Sequence, residues 1–156
     1  MHSPPADLPG VVVWPPLLYG TALLVGVALH FLLPLAALPK GPSRVAGALF
    51  LAGGLALGAW GERTMHRAGT NVHPSKPALA LVDAGPFRFS RNPLYVGLTL
   101  MYAGLALLIP ALWPLLLLIP VLVVLSWGVV RREERYLERK FGEGYRSYKA
   151  RTRRWL

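Results

Sequence analysis

The sequence predicts an all-α integral membrane protein. Four transmembrane helices form two hairpins, with an ordered cytoplasmic loop between them and a C-terminal amphipathic helical segment. Three observations predict this. First, the 156 residues are 54% hydrophobic with a mean hydropathy of +0.44, too apolar for an ordinary soluble domain and without the alternation of a β-barrel. Second, the apolar residues fall into four runs, about 11–38, 45–61, 93–109 and 111–130, close to the roughly 20 residues a helical span needs. Third, the positive charge is one-sided. Of 17 Lys and Arg, five lie in 62–92, ten lie from Arg131 onward, and only Lys40 and Arg44 lie on the other side. Basic residues favour the cytoplasmic side of a membrane, so both termini are expected there. The net charge of +10 follows from this bias and suits anionic lipid headgroups. Because the basic tail directly follows a span, lipid is its expected polyanion and nucleic acid is not.

The chain reads as a single domain over 1–156. After a short arm, the first apolar run contains Pro15, Pro16 and Pro34; helix is expected from Pro16, with a bend near Pro34. This run lacks a basic leader and is too long for a signal-peptide core, so it is expected to be a span. The second run is rich in glycine. Gly54 and Gly58 form a GxxxG pair, which lets another helix approach closely. Packing within the chain is its expected use, with a monomer or weak homodimer as the assembly.

The segment 62–92 is too long for a bare connector. It holds Gly69, Pro74, Pro77, Gly85 and Pro86 and is expected to be ordered, mostly irregular and ligand-binding. Residues 92–130 then carry no formal charge. As one helix they would reach roughly 58 Å, against a hydrocarbon core of ~30 Å, so they must turn back. Pro110 and Pro114 mark the turn. The fourth helix is expected to run on to Phe141, with Glu133, Leu137 and Phe141 on one stripe. Gly142 should stop it, and Glu143–Ala150 should form a short second helix with Tyr145 and Tyr148 on one face.

Polar chemistry is concentrated in two boxes flanking the second hairpin, GPFRFSRNPLYVG (85–97) and EERYLERKFGEGYRSY (133–148). Arg91, Asn92 and Tyr95 converge on a helix N-terminus, whose free N–H groups and dipole suit a ligand carboxylate. Glu133 and Glu134 point about 100° apart on a helix, so one can face the bundle while the other meets solvent or an arginine such as Arg131. His73 is a candidate base. There is no cysteine, which excludes thiolate chemistry and disulfides. No HExxH, GxGxxG or P-loop pattern occurs, which leaves metal, Rossmann and P-loop sites without support.

The order and spacing of these boxes, with the RRW ending, resemble the isoprenylcysteine carboxyl methyltransferase and phospholipid methyltransferase superfamily, small prokaryotic members above all. The likeness runs from about Asn71 to Leu156. It implies S-adenosyl-L-methionine as methyl donor and a membrane lipid or hydrophobic small molecule as acceptor. The place implied is the cytoplasmic face of a prokaryotic cytoplasmic membrane. Donor contacts are implied for Ala80, Leu81, Val82, Phe87, Asn92, Pro93, Leu94, Tyr95 and Glu133, with Arg91 at the reaction site. The reaction implied is an in-line displacement at an already activated sulfonium, where the protein aligns the partners and excludes water. A carboxylate acceptor needs no base; an amine acceptor must lose a proton, for which Glu134 or His73 are candidates. One position departs from the prenylcysteine branch: Val129 stands where an arginine lies near the substrate carboxylate, with Arg131 and Arg132 as the nearby alternatives. Two other readings fit the residues, a membrane NADPH-dependent reductase of the sterol type and a small non-enzymatic membrane scaffold.

Overall fold

The computed structural model describes residues 7–35 and 38–156. These are almost wholly helical. α1 is Pro15–Leu32, α2 Lys40–Arg67, α3 Pro93–Leu108, α4 Leu112–Leu125, α5 Arg131–Phe141 and α6 Glu143–Arg151, with a 3₁₀ turn at Gly85–Arg88 and a π turn at Ser126–Val130. Among the described residues the only β pairing is a single bridge between Ser90 and Arg153.

Prolines and glycines mark several of the helix ends. α1 starts with Pro15 at its first position and ends before Pro34, because a residue preceding proline is disfavoured in helix. It therefore stops there instead of bending as expected, and residues 36–37 of the expected first span lie outside the described residues. α2 is longer than its apolar core. It runs six residues into the segment expected to be irregular, with Glu62 and His66 paired across one turn. Gly69, at φ +68°, then takes the left-handed conformation that ends the helix. Pro93 opens α3. α4, the π turn and α5 form one continuous run of 30 residues, Leu112–Phe141. That run is about 45 Å long and outreaches a ~30 Å hydrocarbon core, so its charged last third projects beyond the apolar layer. Three helical runs, Pro15–Leu32, Lys40–Arg67 and Leu112–Phe141, are long and apolar enough to cross a membrane; Pro93–Leu108 is a shorter apolar helix. Large apolar side chains such as Phe31 and Leu24 stand exposed on the outer faces, as a lipid-facing surface requires.

The bundle is two packed pairs, α2 on α3 and α1 on α4. The first pair is a glycine zipper of seven-residue period. Gly47, Gly54 and Gly61 are buried along α2, together with Ser43 near its start. A Cβ on Gly54 would lie 2.7 Å from the Gly97 carbonyl oxygen, and one on Gly47 would lie 2.8 Å from the Gly104 carbonyl oxygen. Backbone meets backbone there, so neither side can yield. Gly53, one residue away, has open space around its Cβ position. Gly54→Ala is therefore expected to cost about 1–3 kcal/mol by overpacking. Gly53→Ala should be neutral or gain up to about 1 kcal/mol from helix propensity. Unfolding of the two variants in detergent checks this, and equal stability would show that the zipper is not tight.

Candidate functional site

Where the α3 N-terminus meets α5, α6 and the loop 68–92, the chain forms an open-mouthed cleft of about 130 Å³. Every candidate residue named above lines it: Arg91, Glu134 and His73, and also Ala80, Leu81, Val82, Phe87, Asn92, Pro93, Leu94, Tyr95 and Glu133.

The loop forms one wall through its own hydrogen bonds. Asn71 donates its side-chain amide to the Pro77 carbonyl at 2.8 Å, and the Leu79 N–H donates to Thr70 Oγ1 at 2.9 Å. Gly85, at φ +56°, starts the 3₁₀ turn where a Cβ would stand 2.7 Å from Thr64 Oγ1. Phe87 is thereby buried against Tyr145 and Tyr148, with Leu81, Val82, Leu137 and Phe141 packed around them. The Tyr148 hydroxyl donates to the Phe87 carbonyl at 2.7 Å. The expected shared face of Tyr145 and Tyr148 is thus the apolar side of this site.

The C-terminal tail forms the opposite support. The Arg91 N–H donates to the Arg153 carbonyl at 2.9 Å, and the Asn92 side-chain amide donates to the Arg154 carbonyl at 2.9 Å. Ser90 Oγ also donates to that carbonyl, at 3.3 Å, while accepting the Asn92 N–H. Asn92 therefore spends its amide holding the tail and does not cap α3.

The two adjacent glutamates take separate directions, as consecutive helical positions must. Glu134, 7% exposed, accepts a forked pair of bonds from Arg154: Nε to Oε1 at 3.0 Å and Nη2 to Oε2 at 2.7 Å. It also pairs with Arg91 Nη2 at 3.2 Å. Its partners are not the helical neighbour Arg131, whose guanidinium lies 3.6 Å over the Trp127 ring. Glu133 faces the bundle and accepts the Tyr95 hydroxyl at 2.8 Å. Among the described residues no cation pairs with Glu133. Arg91 is the converse case: Nε and Nη1 are buried without an acceptor. His73 accepts the Ser75 N–H at Nδ1, 3.2 Å away, and stacks on Trp14.

The phase of both glutamates depends on the π turn. One wider turn at Ser126–Val130 lags the helix behind α-helical phase, so the residues after it are rotated relative to the apolar span; such turns recur at functional sites. It also buries Val129 completely, in a core with Tyr19, Tyr102 and Leu125. Neither basic neighbour lines the cleft: Arg131 stacks on Trp127 and Arg132 donates to the Gly10 carbonyl.

Sequence reasoning missed Arg154 and Tyr136. Arg154 is named only within the RRW ending, and its partner lies 20 residues away. Tyr136, 4% exposed, receives the Ala78 N–H at 3.0 Å on its hydroxyl. Nothing local to EERYL marks that contact.

A family model described as Phospholipid methyltransferase matches residues 42–144, more than half of the chain and all of the zipper, the loop and the glutamate pair. An uncharacterized protein of Haemophilus influenzae is 51% identical over 35 residues, 22% of this chain and 56% of that protein. The chain thus spans little more than half the length of that relative, whose name states no activity. With the family model matching about two thirds of its length, the chain belongs to the phospholipid methyltransferase family.

Proposed function

We propose that this protein transfers a methyl group from S-adenosylmethionine to a lipid or small hydrophobic acceptor at the cytoplasmic face of the membrane. The observation that carries the reading is a complementary pair on one cleft: an arginine with two buried donors short of an acceptor, and a carboxylate without a cation. An α-amino acid zwitterion offers the reverse set, a carboxylate and an ammonium, and the donor ends in one. Arg91 would hold the carboxylate through its unpaired guanidinium donors, and Glu133, oriented by Tyr95, would hold the ammonium or a ribose hydroxyl. Leu81, Val82, Phe87 and Leu137 suit an adenine ring. When bound, the donor supplies a methyl already activated on a sulfonium. The chain's work is then to hold, align and exclude water. Glu134 is spent on two arginines and His73 on the Ser75 amide. We therefore assign Glu134 to positioning Arg91, and neither residue to proton removal.

Transfer of labelled methyl from S-adenosylmethionine into a membrane lipid extract tests the reading, and no labelled lipid above a protein-free control would overturn it. The proposed role of Glu133 predicts weaker donor binding in Glu133→Ala. A hydrogen bond to a charged group contributes about 1.5–3 kcal/mol, which is roughly 10- to 150-fold in affinity. Calorimetric titration reads this directly, and an unchanged affinity would remove Glu133 from the site.

The same reading requires four crossings with both termini cytoplasmic, α3 included despite its length. At about 24 Å it is short for the bilayer, and the polar loop it leads from would lie at headgroup depth. Reporter fusions after residue 112 and at the C-terminus should report opposite sides of the membrane. Finding both on one side would separate the two boxes and exclude a shared site.

A further inference from the structure

The N-terminal segment 7–14 reaches the cleft, where Pro9 is part of its lining. Its two halves are held differently. Beyond Gly10 the segment is anchored: the Val12 N–H donates to the Gly128 carbonyl at 3.1 Å, and Val11 and Val13 pack on the apolar core around Val129. Before Gly10 it is held at Asp7. Asp7 Oδ1 accepts the Tyr136 hydroxyl at 2.9 Å, and Oδ2 accepts Lys140 Nζ at 2.5 Å. These bonds keep the Asp7 carboxyl below its usual range, hence charged at neutral pH. The Asp7 side chain is nonetheless 60% exposed, and an ion pair so exposed holds weakly and yields to salt. Between the halves lies Gly10 at φ +63°, a conformation that only glycine adopts without cost.

Tyr136 links Asp7 to the opposite wall. Its hydroxyl has one proton to give and two lone pairs. The proton goes to Asp7. The lone pairs take the Ala78 N–H of the loop at 3.0 Å and Lys140 Nζ at 3.1 Å. The hydroxyl is thus saturated by the strap, the loop wall and α5 together. Lifting the strap takes away its acceptor and loosens the group that fixes the loop at Ala78.

We propose that residues 7–9 form a clasp over the donor cleft, hinged at Gly10 and latched by Asp7 on Tyr136 and Lys140, with Tyr136 positioning the loop wall when the clasp is shut. The clasp rests on the proposed donor reading. The donor loads and the spent donor leaves when the weak outer latch opens, while the anchored half keeps α1 in place. The latch then sets how long the donor stays and not only how tightly it binds.

Rapid dilution of tritiated S-adenosylmethionine from the full-length detergent-solubilised protein measures the residence time. In Asp7→Asn dissociation should be about fivefold faster, with association also faster, so that affinity changes less than either rate. Tyr136→Phe should quicken exchange as well. Added salt should speed dissociation from the parent protein but not from Asp7→Asn. Asp83→Asn, which removes an exposed pair with Arg151 outside the cleft, should exchange like the parent. Unchanged dissociation and salt response in Asp7→Asn would overturn the clasp and leave the donor reading standing. A parent protein that does not bind the donor would overturn both.

Discussion

Arg91→Ala should abolish methyl transfer, with at least about a hundredfold loss of turnover, while the protein still folds and inserts. The fold survives because Glu134 keeps the Arg154 fork and so remains paired. The Arg91 backbone N–H, which holds the tail at Arg153, is untouched by the substitution. What disappears is the guanidinium whose Nε and Nη1 lack an acceptor, and misplacing a reacting group by about 1 Å already costs on the order of a hundredfold. Arg91→Lys should rescue poorly, because an ammonium is a point charge without a planar fork. It can keep the Glu134 pair but not hold a carboxylate at two points. Labelled transfer into lipid, compared at equal expression, decides this. Parent activity in Arg91→Ala would make Arg91 an interfacial anchor.

Glu134→Ala should have the opposite balance, with stability lost as well as activity. It leaves Arg91, whose side chain is 9% exposed, beside Arg154 with no counter-charge between them. Breaking a buried pair by removing one partner costs about 3–5 kcal/mol, most of it from Arg91, since the Arg154 side chain is 38% exposed and can turn to water. Glu134→Gln keeps the shape and an acceptor but not the charge, and should fall between. Arg154→Ala should cost less than either, because Arg91 still pairs with Glu134. Detergent unfolding of the three variants orders them. A Glu134→Ala protein as stable as the parent would mean that the triad contributes nothing to holding the tail against α3.

Contrast between these two residues shows which information is local. Several helix ends followed from neighbouring residues: Pro93 at the start of α3 and Gly142 at the end of α5 with φ +52°. Each is a rule about backbone freedom or burial within a few residues, so sequence alone sufficed, and it sufficed for the two polar boxes that line one cleft. What the sequence left open was which acid meets which base. Glu134 had Arg131 within one helical turn, yet its partners are Arg91 and Arg154, brought in by a loop and a tail that meet only when α2 closes on α3. Tyr136 had no local signal at all, because its hydroxyl is satisfied by Asp7 and Ala78, 129 and 58 residues distant. The π turn also lay beyond sequence reasoning: one extra residue per turn carries no compositional mark, and it changes the facing of every side chain after it. The all-helical class and the long apolar helices were thus determined by short-range patterns. The pairing of Glu134 with Arg91 and Arg154 and the contacts of Asp7 and Ala78 with Tyr136 were decided by tertiary contact, since an ion pair or hydrogen bond depends on distance in space and not on distance along the chain.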